Sequence, residues 1–383
     1  MQHSIDGCLG TALTGDKMAA FLEAVFTTNL QQEEATGVRP TPVCIWGTHG
    51  LGKTDIAVNF ARQRGWKIAY CAPAQFEEMG DLHGLPFKID PDPNVHGDER
   101  TVYMPPDWVP TEDGPGLLIL DDINRADDRI LRGVMQLLQN FEMFSWSIPR
   151  KWQILATANP DNGAYSVTPM DDAMLTRMLH VTLAFDAKAW AAWALENGID
   201  QRGIDFVLTY PESVTGKRTT PRSLVQFFRQ ISTIPDLHAS LDIVHVLASS
   251  GLDVETAAAF TGYIQESMAK IPTSAEILGA DAPNDFLERI GKLSKSETEK
   301  RVDLVATICT RLLIQLGHGK KELPDNAAKN LIALLASDVL PGDLRFSMHR
   351  DLASLSKGSG SGAKVAATVC KDSAVAKIVL NSM

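Results

Sequence analysis

The 383-residue sequence lacks the marks of several large protein classes. It holds five cysteines, Cys8, Cys44, Cys71, Cys309 and Cys370, odd in number, widely scattered and without a C-x-x-C pair. That excludes a disulfide framework and fits reduced thiols in a cytoplasmic protein. No apolar run approaches the about 18 residues needed to span a bilayer, so membrane insertion is not expected. The opening residues, Met1 to Cys8, lack the basic start and apolar core of a signal peptide. Basic residues are outnumbered, 36 Lys and Arg against 47 Asp and Glu, for a net charge of −11. This balance argues against a broad electrostatic footprint on nucleic acid, although a local basic groove is compatible with it. The nine histidines show no metal-ligand spacing. His238 and His245 could share a helical face, but a pair without a third ligand reads as structural. What remains, 44% hydrophobic and 22% charged, is ordinary for a globular chain long enough for two or three domains.

Against these absences stands one complete motif, Gly47-Thr48-His49-Gly50-Leu51-Gly52-Lys53-Thr54, a G-x-x-x-x-G-K-T phosphate-binding loop. Val43 to Trp46 before it is an apolar run suited to a buried strand. Lys53 to Arg64 after it reads as a helix with Ile56, Ala57 and Phe60 on one face. Strand, glycine loop and helix form the geometry in which backbone N–H groups and a helix N-terminus cradle phosphate oxygens. Lys53 is then expected at the β- and γ-phosphates and the Thr54 hydroxyl on Mg²⁺.

The stretch from about 40 to 185 alternates apolar strands with helical segments, the pattern of an α/β domain with a mainly parallel sheet. Candidate strands are 43–46, 67–71, 116–120, 153–157 and 179–183, and the segment 85–115 reads as loops or a small hairpin insertion. Residues 1–39 read as a mostly helical lead-in. Beyond 186 the strand signals nearly vanish. A helical lid is expected over 186–275, with the pattern loosening at 272–285, and a helical extension over 276–383, with further helices at 296–316, 324–338 and 342–356. Lys357 to Gly362 reads as a flexible Gly/Ser linker.

Two further strand ends carry chemistry. Leu117-Leu118-Ile119-Leu120-Asp121-Asp122 is an apolar strand ending in two acids. Asp121 is expected to hold the Mg²⁺ shell, and Asp122 to orient or deprotonate the attacking water. The strand through Thr157 leads into Ala158-Asn159-Pro160, where an Asn can hydrogen-bond both γ-phosphate and water, although Asn-Pro is by itself simply a turn. Arg177 follows a short helical turn, and Arg222 opens a helix after Thr220-Pro221. Either arginine alone is as well read as a surface charge.

Together these phrases resemble an AAA+ ATPase, and within that superfamily the MoxR branch. Asp121-Asp122-Ile123-Asn124-Arg125-Ala126 is similar to the branch's D-E-I-N-R-A. Also in keeping are Met79 to Leu85, Thr157 to Pro160, Thr220 to Arg222, and the phrase around Trp108. The resemblance covers about residues 40 to 270 and leaves the last hundred or so unmatched. It implies a P-loop AAA+ core followed by a helical lid. Asn159 would be sensor 1, Arg177 an arginine finger acting on a neighbouring subunit's γ-phosphate, and Arg222 sensor 2. A finger in trans implies a homo-oligomeric ring or spiral, a hexamer in this family, and the branch commonly remodels or matures protein clients with a von Willebrand factor A domain partner. The apolar run Phe141 to Trp146 lies where such proteins carry insertions that meet the substrate, and reads equally as a buried hairpin. One departure stands out: the family's Glu is here Asp122, one methylene shorter, which implies slow or partner-gated hydrolysis. Two other classes stay open on the residues, a nucleic-acid motor or restriction-type subunit, which could use GTP, and a nucleotide-gated scaffold.

Overall fold

A computed structural model of the chain describes residues 7–90, 99–163, 165–266, 268–295, 301–319 and 322–381. The chain divides into two compact units, Met1–Phe185 and Asp186–Met383.

In the first unit the strands are β1 (Thr11–Leu13), β2 (Val43–Trp46), β3 (Lys67–Cys71), β4 (Leu85–Ile89), β5 (Arg100–Met104), β6 (Gly116–Leu120), β7 (Glu142–Met143), β8 (Trp146–Ser147), β9 (Trp152–Ala158) and β10 (Leu179–Leu183). The helices are α1 (Gly15–Thr36), α2 (Lys53–Gln63), α3 (Met79–His83), α4 (Asp128–Asn140) and α5 (Asp172–Leu175). Six strands form one parallel sheet in the order β1-β10-β2-β9-β6-β3. Every residue of β2, β6 and β9 is buried, because both faces of the central strands are covered. Alternate residues serve the two faces. Val43, Ile45, Leu117, Ile119 and Leu155 pack with Met18, Leu22 and Phe26 of α1 and with Ala57 and Phe60 of α2. Cys44, Trp46, Leu118, Leu120, Ile154 and Ala156 pack with Ile130, Val134 and Leu137 of α4. The period of two along each strand thus builds a helix–sheet–helix sandwich, each buried Leu or Ile contributing about 1.5–3 kcal/mol. Helix α4 starts where Asp127 Oδ1 accepts the Ile130 N–H at 3.0 Å, an N-cap. Strands β4 and β5 make the antiparallel hairpin expected within 85–115, and residues 91–98 of that segment lie outside the described residues.

Helix α1 makes up most of the expected helical lead-in, whose residues 1–6 lie outside the described residues. Ahead of α1, β1 joins the sheet as an edge strand beside β10, in register Thr11↔Val181 to Leu13↔Leu183, an addition to the expected helix. Three residues are too few to display an alternation in the sequence. Gly10 fixes the entry, because a Cβ there would lie 2.1 Å from the His180 carbonyl oxygen.

Among its described residues, the second unit has helices as its only regular elements. It comprises α6 (Ala187–Glu196), α7 (Gln201–Thr209), α8 (Pro221–Ile231), α9 (Leu241–Gly251), α10 (Val254–Glu266), α11 (Ser274–Gly279), α12 (Asn284–Lys295), α13 (Val302–His318), α14 (Ala327–Ala336), α15 (Gly342–Leu355), α16 (Ser361–Lys371) and α17 (Ser373–Asn381). Phe206, Phe227 and Tyr263 surround Phe260, with ring centroids 4.9 to 6.3 Å away. Arg311 of α13 donates to Asp205 of α7 at 2.5 Å and to Ser274 Oγ at 3.0 Å, all buried. Helix α13 packs on both α6 and α7, so the segments 186–275 and 276–383 share one unit.

Two local expectations are corrected here. The loosened stretch 272–285 holds α11, started by a Thr273–Glu276 capping box, and the first two residues of α12. The Gly/Ser run is no free linker at its end, since Ser361 and Gly362 begin α16. A Cβ on Gly362 would lie 1.8 Å from the Leu316 carbonyl oxygen, so this glycine serves close helix packing. Of the helix expected over 296–316, residues 296–300 lie outside the described residues.

Candidate nucleotide site

The loop between β2 and α2 turns through left-handed backbone at Gly50 and Gly52, φ 72° and 89°, a region that costs residues with a Cβ about 1 kcal/mol. Gly52 is also the N-cap of α2 and carries no side chain to occupy the first-turn N–H groups, which remain free for an anion. Lys53 is 7% exposed. Its ammonium donates to Gly47 O at 2.8 Å, Thr48 O at 3.2 Å and Asn159 Oδ1 at 3.1 Å. Burial pulls its pKa below the ordinary lysine value, against the opposing fields of Asp122 and Asp121. A desolvated cation held by weak neutral acceptors is a group for which phosphate oxygens are better partners.

Parallel pairing of β2, β9 and β6 aligns their C-terminal ends, and the acids and amide stand there. Asp121 Oδ1 accepts from Thr54 Oγ1 at 2.6 Å and Thr157 Oγ1 at 2.7 Å, and Oδ2 accepts from the Tyr70 hydroxyl at 2.9 Å. Thr157 Oγ1 also accepts the Asp122 N–H at 2.8 Å, locking the two acids to β9. Asn159 Nδ2 donates to Asp122 Oδ1 at 2.9 Å, so one amide bridges Lys53 and Asp122. Arg125 Nε lies 3.6 Å from Asp122 Oδ2. Asn159 is itself clamped: its N–H donates to Asn124 Oδ1 at 3.0 Å, and Asn124 Nδ2 donates back to its carbonyl at 2.8 Å. Both residues are buried to 1% or less.

Asp122 has φ 50° and ψ 45°, a left-handed conformation in a non-glycine residue. Asp tolerates this region better than residues with longer side chains, because its short carboxylate bonds locally. The backbone therefore supplies a physical reason for Asp where the resemblance led one to expect Glu.

Five of the residues singled out in the sequence thus converge: Lys53, Thr54, Asp121, Asp122 and Asn159. His49 of the loop is hydrogen-bonded through Nδ1 to the Tyr165 hydroxyl at 3.2 Å. Arg177 does not join the network: Nε donates to Gln139 Oε1 at 2.9 Å and the guanidinium reaches Ala173 O. Arg222 lies in the second unit, exposed at the second position of α8, where Thr220 and Ser223 form the capping box. A cation in a first turn opposes the helix dipole, so Arg222 is not there for helix stability. Tyr70 had no sequence signal, its partner Asp121 lying 51 residues away. Thr157 and Asn124 lie in the quoted phrases, but the partners of their side chains, 36 and 35 residues away, could not be read there.

Near the two hairpins, Trp108 Nε1 donates to Asp81 O at 3.2 Å and its ring packs on Phe76 and Trp146, a packing role. Phe141, Met143 and Trp146 are buried, whereas Phe144 is 61% exposed with its ring stacked on Tyr103 at 4.6 Å.

The oxygen donors of Thr54 and Asp121 beside an anion cradle suit a hard divalent cation such as Mg²⁺. No protein-family profile and no curated protein matches the chain. Among solved structures it is similar to the RuvB Holliday junction branch migration motor of Thermotoga maritima, at 14% identity over 75% of this chain and 86% of that one, with a TM-score of 0.35. It is also similar to NtrX from Brucella abortus, solved in complex with ADP, at 12% identity over 90% and 69% of the two chains, with a TM-score of 0.37. Likeness at this distance assigns no chemistry, which rests on the side chains themselves.

Proposed function

We propose that this chain is an ATP-hydrolysing AAA+ protein of the MoxR branch. The observation that carries the reading is one continuous hydrogen-bonded set, Lys53–Asn159–Asp122 and Thr54–Asp121, at the aligned ends of three parallel strands. Phosphate oxygens would replace the Gly47 and Thr48 carbonyls and Asn159 as partners of Lys53. Thr54 and Asp121 would hold Mg²⁺, whose charge would offset that of the phosphates. Asp122, oriented by Asn159 Nδ2, accepts the proton of the attacking water as the water oxygen bonds to the γ-phosphorus and the bond from that phosphorus to the β–γ bridging oxygen breaks, releasing ADP and phosphate. General-base help of this kind contributes roughly 10²–10⁴ in rate.

The finer assignments rest on the resemblance. Arg177, parked on Gln139, is assigned as the finger for a neighbouring subunit, which requires a ring or spiral such as a hexamer. Arg222 is assigned as sensor 2 of a helical lid spanning 186–275, and exposed Phe144, stacked on half-buried Tyr103, as a contact for a protein client. A von Willebrand factor A domain partner and a cytoplasmic location belong to the same reading. Among the described residues no helix is long and apolar enough to cross a membrane.

The test is Mg-ATP hydrolysis per subunit as a function of protein concentration, for wild type and Arg177→Ala. A specific rate that rises with concentration and collapses in the variant is expected. A concentration-independent rate, equal in both proteins, would remove the shared-site reading.

A further inference from the structure

Asp121 is held from three directions by residues of three different elements. Thr54 from α2 and Thr157 from β9 both donate to Oδ1, at 2.6 and 2.7 Å. The other oxygen, Oδ2, accepts from Tyr70, whose ring reaches across from the neighbouring strand β3. Among the described residues strand β3 is an edge of the sheet, paired with β6 in register Tyr70↔Ile119 and Cys71↔Leu120. The pairing continues one step further, since the Asp121 N–H donates to Cys71 O at 2.8 Å. Strand and carboxylate are therefore fixed relative to each other.

An exposed edge-strand tyrosine gains nothing in burial by turning its hydroxyl inward, and Tyr70 is 49% exposed. Its hydroxyl is nonetheless on the carboxylate. A tyrosine hydroxyl is ordinarily protonated at neutral pH, so it acts as the donor. A carboxylate that holds metal-bound water needs its plane fixed, and partners that fix a ligand's plane typically govern tenfold to a hundredfold in metal affinity.

We propose that Tyr70 is a positioning residue of the divalent-cation site, fixing the plane of the Asp121 carboxylate through Oδ2 while Thr54 and Thr157 hold Oδ1. The proposal rests on the nucleotide reading given above. It assigns Tyr70 no contact with nucleotide or water; its effect passes through Asp121.

The experiment compares wild type, Tyr70→Phe and Ile68→Ala, the last a change at another exposed residue of the same edge strand. Affinity for a fluorescent ADP analogue is measured in EDTA, and Mn²⁺ affinity of the ADP-loaded protein by electron paramagnetic resonance. Metal-free nucleotide affinity is expected to be the same in all three, which also reports that the site is folded. Mn²⁺ affinity is expected to fall about tenfold in Tyr70→Phe alone. Unchanged Mn²⁺ affinity in Tyr70→Phe, with nucleotide binding intact, overturns the role of Tyr70 and leaves the nucleotide reading standing. An equal fall in Ile68→Ala makes the effect one of the strand edge and also overturns it. A wild-type protein that binds no nucleotide overturns both.

Discussion

In the first unit Asp121 collects hydroxyl hydrogen bonds from Thr54, Thr157 and Tyr70, and neighbouring Asp122 accepts an amide N–H from Asn159 Nδ2. In the second unit Asp205 takes hydrogen bonds from Gln201 and Arg311, and Arg311 goes on to Ser274 and the Pro272 carbonyl. Both networks join elements distant in sequence, and both are built on carboxylates. They differ in closure. Asp205 and Arg311 have side-chain exposures of 9% and 3%, and the cation is matched to an anion. The Asp122 side chain is 33% exposed, and the buried cation nearby, Lys53, is given to neutral oxygens. A closed network holds helices together, whereas an open one with a cation short of an anion is set up to exchange partners with a ligand.

The comparison can be broken at either end, and the closed end has the larger expected effect. Arg311→Ala strands a buried carboxylate and is expected to cost about 3–5 kcal/mol, a fall in melting temperature of roughly 10 °C. Replacing both partners by Leu and Met is expected to recover most of that loss, since neither charge is then left alone. Thermal unfolding of the three proteins checks this, and a single variant as stable as wild type would mean that the pair is not closed.

At the open end the expectation reverses. Asp122→Asn keeps the shape and removes the base, so ATP turnover is expected to fall about a hundredfold with melting nearly unchanged. Asp122→Gly relieves the left-handed backbone and is expected to stabilise the fold by up to about 1 kcal/mol while abolishing turnover. Asp122→Glu is expected to lose a few tenths of a kcal/mol, approximately, and not to speed hydrolysis, because the longer side chain is less suited to that backbone. Faster turnover in Asp122→Glu would show instead that reach, rather than backbone, limits this site.

How much of this could be read from the sequence follows from which interactions are local. The buried runs 43–46, 116–120 and the core of β9 carry their own signal, since a strand covered on both faces must be apolar throughout. The phosphate loop is equally local, eight consecutive residues with glycines where the backbone turns left-handed. Strand β1 is too short to carry a pattern, and its place follows from pairing with β10, some 170 residues on. Gly362 looked like linker because its reason lies on another helix, at Leu316. The site divides in the same way. Lys53, Asp121, Asp122, Thr157 and Asn159 sit in recognisable phrases, whereas Tyr70 lies outside them and acquires a meaning only once β3 and β6 are side by side. Asp122 in place of Glu looked like a defect in the phrase, and the φ of 50° gives it a cause.

The most direct test of the account is calorimetric titration of Mg-ATP into wild-type protein and Lys53→Ala, with melting curves for both. The account predicts binding by wild type, affinity weakened roughly a hundredfold in the variant, and closely similar melting temperatures. Equal affinity in the two proteins, or no binding by wild type, would contradict it.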